Sequence, residues 1–474
     1  MRKLFTAAFL YCLSISAHAQ QNWNLKSIVE YAMTHNTGVK LSEVQAKIAA
    51  ITLNQSKLSQ YPSASFSGSL SLNSGSNQDP ISFNRITETY LSSGLQLQSS
   101  ADIFNFYSKR NTIAANEWEL QAAKANTDKL RNDIALTAAN AYLQILLARE
   151  QEKITLVQVQ QTSAQLNNTR KQVDAGALPE LNAAQLEAQL SLDSVNYLTA
   201  KGNVTQAILT LKSYMNIDAA APFEVDAPPV EMIPLEAIAD LQPDNVYALA
   251  MANQPLQRYN ELRLKAAAKS TAAAKAFMYP TLSAFGSLGS GYNNQVQQIT
   301  GITGTTSSQI GTVNVNGVNY NVVTPRPEYS YSKTNFPSQL SDNFRQSIGL
   351  SLSVPIFNGG NLRGNYEKTK LNTSSLEIQK EQDDQKLKQD IYSAYTAAVI
   401  ALEKFNAGKK SVEINERAFN YANKRFEVGM LSTYDLITTQ NNVLRAKLEY
   451  TLNRFDYVFK MKVLEFYKGL GLKL

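Results

Sequence analysis

Apolar positions along this chain change period in an order that is written out twice. Residues 25–34 and 37–60 space their apolar residues by three and four, with Val39, Ala46, Ala50 and Leu53 on one face of the second segment, and predict two helices. Tyr61-Pro62 stops the second, because proline disfavours helical geometry in the residue before it. From Ala64 the period is two: Ala64, Phe66, Gly68, Leu70 and Leu72 alternate with Ser65, Ser67, Ser69, Ser71 and Asn73. A turn-rich stretch (Asn73 to Asn84) precedes a second alternating run with Leu91, Leu95 and Leu97, so strands are expected over about 63–73 and 89–103, paired as a hairpin. Phe104-Asn105 closes it, with Asn105 expected as an N-cap. A proline-free pattern through Leu130, Ile134, Ala138, Ala141, Ile145 and Ala148 then predicts one very long helix over about 106–174. Gly176 and Pro179 end it, as a C′ glycine and a proline that opens a further helix over about 180–214.

Residues 217–243, with five prolines and several acids, read as an extended linker, after which the order restarts. Helical spacing over 246–253 and 256–278 stops at Tyr279-Pro280, strands follow at about 281–290 and 345–356, and a second long helical hairpin spans 360–468. At an offset of 253 residues Lys171 matches Lys424, Gly176 matches Gly429, Tyr197 matches Tyr450 and Tyr214 matches Tyr467, and the register holds back to Ile103-Phe104-Asn105 over Ile356-Phe357-Asn358. A gapless match of this length marks a duplicated unit, with a first repeat at 20–216 and a second at 244–474. The copies differ in one place. Tyr-Pro to Ile-Phe spans 42 residues in the first and 77 in the second, and the 35 extra residues, within 291–343, are rich in Thr, Asn, Gly and Tyr and read as a solvent-facing loop.

Length turns this order into an architecture. A helix of about 69 residues is about 104 Å long, so each copy supplies one long rod and a second rod in two pieces, with the strands at the end remote from the Gly176 and Gly429 turns. Four strands with an apolar stripe do not close a barrel, and an open sheet edge is not tolerated in lipid, so closure needs more than one chain.

Composition then removes most chemistry. Residues 1–19 have a basic start, a short apolar run and an Ala17-His18-Ala19 cleavage signature, which is a secretory signal; the only cysteine, Cys12, lies inside it behind Tyr11, against a lipoprotein. The mature chain holds one histidine, His35, and no cysteine, so thiolate, Cys/His zinc and His-based nucleophilic chemistry drop out, and no cofactor or metal is implied. Without Arg2 and Lys3 the formal charge falls from +6 to +4 with no basic block, which is no footprint for nucleic acid. No run of 18 apolar residues follows residue 19, so any membrane crossing is made by strands.

The duplication, the Tyr-Pro break before a strand in both copies, the run Pro355-Ile356-Phe357-Asn358-Gly359-Gly360 followed by Arg363, and Phe426-Glu427-Val428-Gly429 ahead of Tyr434-Asp435-Leu436 together resemble the TolC family of outer-membrane efflux proteins. The resemblance covers nearly the whole mature chain. It implies a mainly α fold with a membrane β-barrel section, in which three protomers, each giving two long helical hairpins and four strands, form a trimeric α/β barrel channel in the outer membrane with a large periplasmic portion. It also implies a passive exit duct for small molecules or drugs, served by a periplasmic adaptor and an inner-membrane pump, and no enzyme activity. A barrel-anchored tether or adhesin without conduction is the alternative, and it asks for more extracellular mass than the insert at 291–343 provides.

Two sets of residues become candidates at the helical turns. Exposed apolar neighbours of the two glycines, Ala175, Gly176, Ala177 and Leu178 with Val428, Gly429, Met430 and Leu431, are expected to form the surface that meets the adaptor. Relatives pair an acidic residue in the first turn with a basic one in the second; here these positions are Asn182 and Leu431, while Asp435 is kept and the acid one turn later is Thr438. Asp435 and Asn182 are therefore the candidate lumenal gate, although Ser432 with Asp435 also fits a capping box. Phe104, Phe106, Tyr107 and Phe357 are expected in an aromatic belt at the membrane edge, and Arg110 and Arg363 as ion-pair partners at the strand-to-helix junctions.

Overall fold

In the computed structural model the described residues are 23–78, 83–226 and 233–469; the signal segment and Cys12 lie outside them, as does part of the linker. Helices α1 (Leu25–His35) and α2 (Thr37–Leu58) precede strands β1 (Ser63–Gln78) and β2 (Arg85–Phe104), and α3 (Ser108–Asp174) and α4 (Glu180–Met215) complete the first repeat. The second contains α5 (Pro243–Asn253), α6 (Pro255–Ala276), β3 (Thr281–Asn293), β4 (Gln297–Val315), β5 (Val318–Lys333), α7 (Phe336–Asp342), β6 (Arg345–Ser353), α8 (Asn361–Glu427) and α9 (Thr433–Tyr467). The bounds of α8 coincide with those of α3 at the sequence offset that aligns the two glycine turns, whereas those of α5 and α6 coincide with those of α1 and α2 at a shorter one. The difference between the two offsets is the insert of the second hairpin. The chain divides into two units, one helical (up to Leu53, Ala115–Ala268 and from Lys370) and one that contains the strands (Asn54–Ala114 and Lys269–Thr369).

In the helical unit the same core is built twice. Ile28 and Ala32 of α1 pack with Ala138 and Ile145 of α3 and Leu211 of α4. Their counterparts Val246, Ala250, Ile391, Ala398 and Leu464 form the second cluster. Burial of each large aliphatic side chain contributes about 1.5–3 kcal/mol, which is why three-and-four spacing on α3 and α8 fixes which face turns inward. The linker is fastened to these cores. Trp23 bridges Val225, and the Nζ of buried Lys462 donates to the Pro234 carbonyl at 2.6 Å and to Glu465 Oε2 at 2.8 Å. Glu465 in turn accepts from the Glu236 N–H.

The strand unit holds a four-stranded antiparallel sheet in the order β1-β2-β3-β6, and a separate two-stranded sheet of β4 and β5. Residues paired directly across antiparallel strands share a face. Phe66 stands opposite Leu97, Leu97 opposite Leu288, and Leu282, Ala284 and Gly286 opposite Leu352, Leu350 and Ile348, so one face is apolar across all four strands. The other face is mostly Ser, Gly, Gln and Asn, as in Ser65–Gln98–Ser287–Ser347, and also carries Asp102 and Arg345. On it Phe285 lies across Gly349, where a Cβ would come within 2.7 Å of the ring. Among the described residues, β1 and β6 each have one side unpaired.

Two expectations are corrected. The insert is not a loop: β4 and β5 form a hairpin closed by Asn316-Gly317, both at positive φ as a two-residue hairpin turn requires, and α7 follows it. Nor does Asn105 cap a helix. Phe106 and Tyr107 take φ of 46° and 64°, which delays α3 to Ser108.

Candidate functional site

The two helical turns have the same geometry. After α3, the Gly176 N–H donates to the Val173 carbonyl (2.8 Å) and the Ala177 N–H to the Gln172 carbonyl (2.8 Å). After α8, the Gly429 N–H donates to Phe426 (2.9 Å) and the Met430 N–H to Arg425 (2.8 Å). Both are paired hydrogen bonds around a left-handed residue, with φ of 74° at Gly176 and 76° at Gly429, and both satisfy helix-end carbonyls that would otherwise be orphaned. Ala175, Gly176 and Ala177 are exposed and Leu178 is half-buried; Val428, Gly429 and Met430 are exposed and Leu431 half-buried. The second turn carries the larger apolar surface, with Val428 at 68% and Met430 at 66% exposure.

The helices that leave these turns start differently. Ser432 caps α9: its hydroxyl oxygen accepts from the Asp435 N–H at 3.1 Å and donates to Asp435 Oδ2 at 2.6 Å. Asp435 is exposed and occupies the third helical position, where a carboxylate also favours the positive end of the helix dipole. Pro179 stands in place of Ser432 at the start of α4 and offers no side-chain cap, and Asn182 is half-buried there. Gln189 and Asn441 exchange hydrogen bonds of 3.2 and 3.3 Å between α4 and α9, about 10 Å along each helix from Asn182 and Asp435.

Below that bridge lies a cluster the sequence reading missed. Asp193, 1% exposed, accepts from the Thr162 hydroxyl at 2.6 Å and from Gln189 Nε2 at 2.8 Å, and Gln440 Nε2 donates to Thr162 at 3.2 Å. The counterpart of Asp193 in the second repeat is the buried Ala446, so only one repeat carries this polar centre. Its signal was the spacing of Gln189 and Asp193 four apart on α4, facing Gln158 and Thr162 four apart on α3.

At the start of α3, Phe104 packs on Phe106 (centroids 4.9 Å apart) and Tyr107, and Phe106 stacks on Tyr279 at 4.9 Å. Phe357 is 87% exposed. The ion pair formed beside this cluster is Lys109 with Asp102 at 2.9 Å, Lys109 also donating to the Ser59 carbonyl at 2.6 Å. Among the described residues no group of three or more His, Cys, Asp and Glu side chains could hold a metal ion, and no helix is long and apolar enough to cross a membrane.

The family described as "Outer membrane efflux protein" matches residues 39–216 and 246–460. The chain is 22% identical over 370 residues to the outer membrane efflux protein BepC of Brucella suis, covering 77% of this chain and 69% of that one. It is 22% identical over 468 residues to the outer membrane protein TolC of Escherichia coli, covering 97% and 84%. Its fold matches the crystal structure of the Campylobacter jejuni CmeC outer membrane channel with a TM-score of 0.73 at 17% identity, over 95% of this chain and 86% of that one.

Proposed function

Because the chain belongs to the outer membrane efflux protein family, we propose that it is the exit duct of a tripartite efflux or secretion system, a passive trimeric channel for small molecules. It is an outer-membrane protein of a Gram-negative cell and not an enzyme. The observation that carries the proposal is the two-faced sheet. An apolar face suits lipid, a face of Ser, Gly and Gln suits a water-filled lumen, and two unpaired edges in lipid call for neighbours. Three copies give twelve strands. Two would give eight, a barrel whose interior is only wide enough for side chains to fill, which the small lumenal residues here would leave badly packed.

A lumenal face made mostly of short polar residues has little means of choosing cargo, so selection belongs to the inner-membrane pump. The exposed apolar turns at Ala175–Leu178 and Val428–Leu431 are the surface offered to a periplasmic adaptor, and Asp435, repeated three times around the axis, is the acidic gate at the periplasmic mouth. Protein extracted from membranes in detergent and reconstituted in planar bilayers is expected to have the native mass of a trimer and to conduct ions. A monomer without conductance would sink the proposal.

A further inference from the structure

We propose that the helical unit holds a binding site for a small zwitterion, an amino acid or short peptide, in a cavity where the start of α6 meets the end of α9. The cavity has a volume of about 320 Å³, and its walls include Asp133 of α3, Gln257 of α6, Lys386 and Asp390 of α8 and Tyr467 of α9. All of these residues belong to the one helical unit, so the site does not depend on the reading of the chain as a duct.

Gln257 is the residue that points to a ligand. It is 3% exposed, yet neither its Nε2 nor its Oε1 has a hydrogen-bond partner among the described residues. Buried amides nearly always have partners, because a dry donor and acceptor forfeit the bonds that both made to water. The first repeat shows that the fold does not demand an amide here. At the offset that carries α6 onto α2, Gln257 falls on Val39, which is fully buried. The junction is otherwise alike in the two repeats. Gln254 donates to the Phe466 and Tyr467 carbonyls at 2.9 and 3.1 Å, as its counterpart Asn36 donates to the Tyr214 carbonyl at 2.9 Å. Nor does the amide cap its own helix. Gln257 is the third residue of α6, from which a side chain can turn back to the Gln254 N–H, but that N–H is given to the Ala250 carbonyl at 2.9 Å.

The charges around the amide decide the class of ligand. Asp133 is paired with Lys129 at 2.9 Å, and Asp383, also on the wall, accepts from Asn260 at 2.9 Å and from Gln379 at 3.0 Å. One charge of each sign is left over: among the described residues, Lys386 and Asp390 enter no hydrogen bond or ion pair. They stand four apart on α8 with the lysine first, the weaker order for a pair along a helix. Burial raises the pKa of the Tyr467 phenol, and the Asp390 and Asp133 carboxylates add to the effect, which sets both beside that phenol on the cavity wall. A molecule with an ammonium and a carboxylate answers every unmet group together. Its ammonium pairs with Asp390 and donates to Gln257 Oε1. Its carboxylate pairs with Lys386, accepts from Gln257 Nε2 and lies at the N-terminal end of α6, where the helix dipole favours an anion. A simple cation would leave Lys386 and the amide N–H unanswered, and a simple anion would leave Asp390 and the amide oxygen. Leu256, Leu387 and Phe466 supply apolar wall for a short side chain.

Calorimetric titration of the full chain in detergent tests this, with L-alanine and L-alanyl-L-alanine as zwitterions. N-acetyl-L-alanine lacks the ammonium and L-alaninamide lacks the carboxylate. At least one zwitterion is expected to bind saturably, and the probes with a single charge about tenfold or more weakly, the loss of one hydrogen bond to a charged group. Lys386→Ala and Asp390→Asn should each weaken the zwitterion by about the same factor. Gln257→Val, which places the residue of the first repeat at this position, should abolish binding and raise the melting temperature of the ligand-free chain. Lys386 is exposed, so its substitution keeps the test decisive even where a buried one unfolds the chain. Silence from both zwitterions overturns the site, as does equal binding of a probe with a single charge or undiminished binding by the Gln257→Val or Lys386→Ala chain. Native mass and conductance of the same preparation bear on the duct alone: a monomer without conductance that still binds the zwitterion sinks the duct and keeps the site.

Discussion

Asp435 accepts a hydrogen bond from Ser432 and sits in the first turn of α9, so a helix cap and a charged gate make overlapping demands on one carboxylate. Charge and capping separate by substitution. Asp435→Ala is expected to reduce the cation preference of the channel, read as a shift in reversal potential under a salt gradient, or to alter its gating. Asp435→Asn keeps an acceptor for the Ser432 hydroxyl and removes only the charge, so it should match Asp435→Ala if the ring of charge matters and the unsubstituted chain if the cap alone matters. Asn182→Ala, on the uncapped helix that follows Pro179, should change little, and equal effects at 182 and 435 would show that the two turns are not unequal gates. Phe106 and Tyr107 show what a single residue hides. Left-handed backbone costs an L-residue about 1–2 kcal/mol, and nothing in Phe-Tyr announces it. The clue lay in the second repeat, where Gly359 and Gly360 occupy the same positions at φ of 66° and 80°. Aromatic residues held where the second copy uses glycine fit an anchoring role, for which the contacts of Phe106 with Phe104 and Tyr279 offset the strain.

Element ends were legible wherever chemistry punctuates the chain. Gly176 and Gly429 end α3 and α8 within two residues, and the parity of Ala64 to Leu72 gave the apolar face of β1 directly. The Asp193 cluster was illegible for a physical reason: Gln158, Thr162, Gln189 and Asp193 look like a solvated helix face until α9 brings Gln440 over them. The tie between α3 and the linker was equally hidden. Buried Tyr142 donates its hydroxyl to the Asp226 carbonyl at 2.8 Å, and burial, aided by the nearby Asp226 carboxylate, pushes its pKa up from 10.0 to about 12. The folded chain thus holds the phenol proton more tightly than the unfolded chain does. The stabilisation is fully present below pH 10 and is lost as pH rises from about 10 to about 12. Tyr142→Phe is expected to lower stability by about 1 kcal/mol at neutral pH through the lost hydrogen bond. It should also flatten the alkaline fall in melting temperature over that window; an unchanged alkaline slope would assign the fall to other groups.

At the scale of the assembly, the insert is a whole hairpin that the first repeat lacks, and its construction separates it from barrel closure. Strands β3 and β6 pair directly from Thr281–Ser353 to Gly289–Arg345, so the sheet order does not pass through β4 and β5. Both edges of that hairpin are blunted. Register shifts interrupt β4 at three places, and Pro325 and Pro327, two apart on β5, withhold N–H donors from one edge. A two-stranded sheet built this way recruits no further strand, and its attachment is at the base. There the side chain of Gln339, 2% exposed, donates to the Asn293 and Thr334 carbonyls and accepts from the Asn293 N–H, while the Thr334 N–H reaches the Val296 carbonyl at 3.0 Å. Removing residues 297–333 and joining Val296 to Thr334 through an Asn-Gly turn is therefore expected to leave trimer mass and conductance unchanged, because the clamp and every barrel strand remain. Gln339→Ala should instead leave the hairpin in place with its base unfastened, read as faster proteolysis near residues 294–296 with the trimer intact. Loss of the trimer on deleting the hairpin would mean that the insert holds copies together.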